Sequence, residues 1–264
     1  EAYNPNVYSQ YLKFGGFDYL YDKVGLYDGL KKLIRNQPDA DVKDISFAKN
    51  QVQGFDDQML RFLENHDEER IASSAFAADP TFAKPAMVVT ATLGKSPVMI
   101  YFGQEVGEPA KGIEGFGQDD NRTSIFDYWG IPNYQKWTNN GAFNGAKLED
   151  KEKQLRDFYV NLLKISSQNE AISNGDFYEV PQNLINNYKI YAYFRYTNNQ
   201  RFLIISNFSR DQNFEVKISI PNEILSLNPS SKAIDLLTDQ AVVLPSGDAL
   251  NVDIKPNSSQ IIQF

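Results

Sequence analysis

One histidine serves the whole 264-residue chain. His66 stands inside Phe62-Leu63-Glu64-Asn65-His66-Asp67-Glu68-Glu69-Arg70, where an apolar run gives way to polar side chains. An imidazole beside a carboxylate, presented where a strand ends, suits a site that grips a polar, hydroxyl-rich ligand through donors and acceptors together. With one histidine and no cysteine, a zinc site built on such ligands is excluded, and any Ser-His-Asp relay would have to run through His66. No G-x-S-x-G elbow accompanies it, and Gly15-Gly16 lacks the remaining spacing of a phosphate-binding loop. Taken alone, the same residues read equally well as a polar helix cap with a surface histidine.

The elements that must position these residues alternate in type. Asn4-Pro5-Asn6 caps a short helical stretch through Leu12, broken at Gly15-Gly16, and Phe17 to Tyr21 alternates like a strand. Helical spacing follows over Gly25 to Ile34 and again around Asp44 to Val52, with a turn at Gly54. Met59 to Glu64 reads as a strand, Pro80 to Leu93 as a helix closed by Gly94, and Pro97 to Phe102 as a strand buried on both faces. That order implies an α/β fold with a parallel sheet. A long polar stretch runs from Gly103 to about Ala146, too long for an ordinary connector. Leu148 to Ser166 is then an amphipathic helix burying Leu155, Phe158, Tyr159, Leu162, Leu163 and Ile165. From Asp176 the period switches to short strands. A hairpin turns at Asn198-Asn199, and further strands cover Phe214 to Ile220, Ala233 to Leu237, Ala249 to Ile254 and Gln260 to Phe264. The expected organisation is an α/β unit over 1–175 and a small antiparallel β-sandwich over 176–264.

Composition narrows the partners. A formal charge of −8 argues against nucleic acid, which needs a basic face, and favours a neutral or cationic ligand. No run of eighteen apolar residues exists, so no membrane span is expected. The absence of cysteine removes disulfides and thiolate chemistry and leaves the compartment open.

Three segments in chain order carry a family resemblance. Phe62 to Asp67 resembles the F-x-x-N-H-D motif on strand seven of the α-amylase family of glycoside hydrolases. Gly94-Lys95-Ser96-Pro97-Val98-Met99-Ile100-Tyr101-Phe102-Gly103-Gln104-Glu105 resembles its strand-eight signature, G-x-P-x-x-Y-x-G-x-E, with one extra residue before the proline and another before the tyrosine. Glu1-Ala2-Tyr3-Asn4-Pro5, followed by Gly15-Gly16-Phe17-Asp18-Tyr19-Leu20-Tyr21-Asp22, is similar to the stretch that leaves strand five. Asp120 to Trp129 looks like the loop after strand eight, where Tyr128 and Trp129 either pack within the loop or offer a stacking platform for a sugar.

The resemblance implies the C-terminal half of a (β/α)8 TIM barrel followed by a β-sandwich, and retaining hydrolysis of α-glucosidic bonds in starch-like glucans. By the same resemblance Glu1 is the general acid/base, Asp67 stabilises the oxocarbenium-like transition state and His66 hydrogen-bonds the sugar at the cleavage point. Arg70 is expected on the surface, solvated or salt-bridged, Glu68-Glu69 in a solvated loop, and Glu105 as a structural carboxylate.

The family's nucleophilic aspartate and its neighbouring arginine would lie before residue 1, so the chain is expected to be an inactive fragment that pairs with the missing barrel half or a second copy. A structural calcium is common in the family, but its ligands come partly from that missing region, and no metal or other cofactor is assigned here. Two other readings remain open: a non-catalytic carbohydrate-binding protein derived from such an enzyme, and a transglycosylase on the same scaffold.

Overall fold

Three short parallel segments run side by side. β1 (Leu20–Tyr21) pairs with β2 (Met59–Leu60), and Arg61 bridges in parallel to Val98. Backbone bonds extend the alignment: Asp22 N–H to Leu60 O at 2.9 Å, Arg61 N–H to Pro97 O at 3.0 Å and Met99 N–H to Arg61 O at 2.9 Å. The computed structural model describes residues 2–112, 120–126, 130–227, 232–243 and 248–264.

Helices fill the intervals as the period of the sequence requires. α1 (Tyr8–Lys13) precedes β1, and the Asn4 side chain accepts from the Asn6 N–H to start the turn that leads into it. α2 (Asp28–Ile34) and α3 (Lys43–Gln51) lie between β1 and β2, and α4 (Lys84–Thr92) between β2 and residues 97–99. Asp79 caps the turn before α4 by accepting from the Thr81 N–H. This is the βαβ order read from the sequence.

The strands are shorter than expected. Phe17 to Tyr21 pairs only at its last two residues, and Met59 to Glu64 leaves its ladder after Arg61. Pro97 to Phe102 is not buried on both faces: Pro97 to Ile100 are half-exposed. The reason is pairing. Among the described residues this segment has a ladder partner on one side only, Arg61, so its apolar side chains are covered incompletely.

The stretch after Gly103 is partly built of short elements, including α5 (Pro132–Thr138). α6 (Asp150–Gln168) opens with a reciprocal capping box between Glu149 and Glu152 and buries Leu155, Tyr159, Leu162 and Ile165. Phe158 and Leu163, at the margin of that stripe, are half-buried. α7 (Glu170–Ser173) then turns the chain into the β region.

There, β3 (Asp176–Glu179), β4 (Ile190–Tyr196), β5 (Arg201–Asn207), β7 (Ala233–Asp235), β8 (Gln240–Val242) and β10 (Ser258–Gln263) form an antiparallel sheet in the order β3-β4-β5-β10-β7-β8. β6 (Phe214–Ser219) and β9 (Ala249–Ile254) pair separately. Short helices α8 (Gln182–Ile185) and α9 (Asn222–Leu225) fall in the connections. Ile190, Ala192, Phe194, Leu203, Ile205 and Ile262 pack against Ile218, Leu250, Val252 and Ile254 to make the sandwich core. The alternate residues, Tyr191, Tyr193, Phe202, Ile204 and Ile261, pack on α4 and α6. The large sheet is therefore covered on both faces, which is why β5 is buried along its whole length. Arg195 fastens the junction: its guanidinium donates to the carbonyls of Ala171, Ile172 and Gly175, which the end of α7 leaves unpaired, and to Leu93 O.

Candidate active site at the end of the second parallel strand

Asn65 bends the chain at His66 and Asp67. Its side chain is buried, and its Oδ1 accepts from the N–H groups of Asp67 and Glu68, both at 2.9 Å. This side-chain turn reverses the chain just past the C-terminal end of β2. His66 and Asp67 sit at its tip, each side chain 41% exposed, with Nε2 and Oδ2 3.4 Å apart. Behind them Phe62 stacks on Tyr27, centroids 4.9 Å apart and planes 7° from parallel, and meets Tyr21 edge-on. In parallel α/β barrels, chemistry is carried at this end of the strands.

The flanking charges differ from their expected roles. Arg70 is ion-paired but not at the surface: it is fully buried, with Nη1 2.6 Å from Glu64 Oε2, and Nε and Nη2 donating to Thr123 Oγ1 and Phe102 O. Burial pushes the Glu64 carboxyl up, against the pull of Arg70 and the Ile71 N–H. Glu68 is not solvated either. Burial alone would raise its carboxyl, but Tyr27 Oη at 2.7 Å, Lys23 at 3.0 Å and Lys31 at 3.1 Å outweigh it and hold the group below the ordinary range. Glu69 is partly exposed, 3.7 Å from Arg35. Both are enclosed by segments distant in sequence: Glu68 by Lys23, Tyr27 and Lys31, and Arg70 by Phe102 and Thr123.

The segment after residues 97–99 supplies the neighbouring wall. Tyr101 donates from its hydroxyl to Thr123 O at 2.8 Å, and Gly103 and Gly107 take left-handed backbone, φ 84° and 69°. Burial pushes Glu105 above the carboxylate range. Three buried groups gave no signal in the sequence. Glu108 accepts from the Asn133 N–H at 2.9 Å, while its other oxygen is buried and has no hydrogen-bond partner among the described residues, and burial raises its carboxyl. Asp22 and Arg61 face each other at 3.6 Å, and burial lifts Asp22 to about 6 despite the nearby guanidinium. A glutamate before a proline, or an aspartate closing an aromatic run, looks like surface until the fold encloses it.

Glu1, Tyr128 and Trp129 lie outside the described residues, so the expected meeting of Glu1 with Asp67 is not part of this geometry. Among the described residues no three His, Asp or Glu side chains converge as a calcium cage would require, and no ligand set for that ion is assigned. No helix among them is long and apolar enough to cross a membrane.

No protein-family model and no curated protein sequence matches the chain. Solved structures do. The chain superposes on AmyP in complex with maltose with a TM-score of 0.67 at 15% identity, covering 96% of this chain and 53% of that one. An Anoxybacillus α-amylase gives a TM-score of 0.69 at 16% identity, covering 99% and 50%. The Geobacillus thermoleovorans α-amylase complexed with acarbose gives 0.64 at 19%, covering 98% and 51%. The chain thus has the fold of the C-terminal half of a (β/α)8 barrel with the β-sandwich that follows it, and it spans about half the length of the structures it matches.

Proposed function

We propose that this chain is the C-terminal half of a retaining glycoside hydrolase of the α-amylase type, acting on α-linked glucans. The observation that carries the reading is the turn at Asn65, which presents His66 and Asp67 together at the C-terminal end of a parallel strand in a chain with the α-amylase fold. Structures on that fold were solved with maltose and acarbose bound, which supports a glucan as ligand.

In this reading Glu1 protonates the glycosidic oxygen while an aspartate from the preceding barrel half attacks the anomeric carbon, the two carboxyl groups about 5–5.5 Å apart as retention requires. Glu1 then takes the proton of the incoming water. Asp67 and His66 hold the sugar hydroxyls, with contacts that strengthen as the ring flattens toward the oxocarbenium-like state.

Asp67→Asn, in a protein where this chain completes the barrel, is expected to lower kcat on maltoheptaose by about 10²-fold or more. The 264-residue chain alone is expected to release no reducing sugar. Asp67→Asn with unchanged turnover would sink the assignment. Glucan binding without cleavage by the complete protein would point to a binding module, and longer oligosaccharide products would point to a transglycosylase.

A further inference from the structure

The loop that carries His66 and Asp67 has no ladder of its own, yet both of its ends are locked in the interior. Glu64 and Arg70 flank it, six residues apart, with side chains 2% and 0% exposed. Their carboxylate and guanidinium close the loop like a clasp at 2.6 Å, and the second Glu64 oxygen accepts from the Ile71 N–H at 2.7 Å. The rest of the Arg70 fork reaches two other segments: Phe102 O beyond the third parallel segment, and Thr123 Oγ1, each at 2.8 Å. The Arg70 backbone N–H donates to Asn121 O, also at 2.8 Å. The guanidinium lies 4.3 Å from the Tyr101 ring centroid, and that tyrosine's hydroxyl holds Thr123 O.

Stability is a poor explanation for so deep a pair, since well-packed apolar residues of similar volume commonly serve as well or better. What an apolar pair lacks is direction. The planar fork fixes three segments at once, which a lysine ammonium cannot reproduce.

We propose that Glu64 and Arg70 are the positioning pair of the candidate site, holding loop 65–69 in register with residues 121–123 so that His66 and Asp67 meet the sugar in one orientation. This rests on the reading of those two residues given above. Neither Glu64 nor Arg70 touches substrate; they act through the loop.

The single histidine makes the loop observable without substrate, because a 13C-labelled imidazole gives one His66 signal in the 264-residue chain. Glu64→Gln and Arg70→Lys keep the volume and break the fork. Thr123→Val removes one acceptor and serves where those two do not fold. Variants that keep the wild-type near-UV dichroism are expected to show a shifted or doubled His66 signal. In a protein where the chain completes the barrel, their kcat on maltoheptaose falls about 10-fold or more with KM within about twofold. The double variant is no worse than the worse single, as for groups acting as one unit. An unmoved His66 signal with unchanged kcat in folded variants overturns the positioning role, as does a lowered melting temperature with kcat per folded molecule intact. Wild-type turnover in Asp67→Asn overturns instead the reading on which the site rests, and with it the pair's role there.

Discussion

Asn65 turns the chain with one oxygen that takes the N–H groups of Asp67 and Glu68, which fixes the local bend inside the loop that Glu64 and Arg70 close. Asn65→Ala leaves those donors without their acceptor. It is expected to cost about 1–2 kcal/mol, read by urea unfolding, and to broaden the His66 resonance. Asp22 carries a pH dependence. Burial raises its carboxyl from 3.8 to about 6, opposed by Arg61, so the folded state prefers the protonated form. Its contribution to stability is full below about pH 3.8 and is lost as pH rises through about 6. Unfolding free energies of wild type and Asp22→Asn measured between pH 4 and pH 7 should therefore diverge, the wild type losing more. Parallel curves would mean that Asp22 ionises as it does in the unfolded chain.

At the scale of elements, the turn after residues 97–99 is built around close approaches. Gly107 has φ 69°, and a Cβ there would lie 2.8 Å from Pro80 Cγ and 3.4 Å from Leu155 Cδ2. Gly107→Ala meets both a disfavoured backbone conformation and a steric conflict between the turn before α4 and helix α6. It should destabilise by about 1–3 kcal/mol, seen as a lower urea midpoint with an unchanged slope. In the same turn the Tyr101 hydroxyl donates to Thr123 O, and Gly103 takes left-handed backbone beside Glu108 and Arg70.

At the scale of the molecule, one apolar cluster runs from α2 and α3 through α4 and α6 into Tyr191, Tyr193, Phe202 and Ile204 of the large sheet. The helical and β regions therefore share a core. Phe202→Ala, at a fully buried position in that cluster, is expected to cost about 3–5 kcal/mol. Because the core is shared, far-UV and near-UV dichroism should trace one unfolding transition. Two separated transitions would show that the regions unfold independently.

Periodicity and turn chemistry are local, and what depends on them was legible in the residues. The helices at 28–34, 43–51 and 84–92, the amphipathic α6, the hairpin of β4 and β5, and the His66-Asp67 pair at a strand end all follow from spacing, caps and glycines. Enclosure is not local. A carboxylate or a guanidinium reads the same on a surface as in an interior, so the burial of Glu64, Arg70, Glu68, Glu108 and Asp22 emerged only when segments up to 53 residues apart in sequence, such as Arg70 and Thr123, closed around them. The same holds for Pro97 to Phe102, whose apolar run specifies a strand but not which of its faces is covered. Pairing partners, supplied by the tertiary fold, decide that.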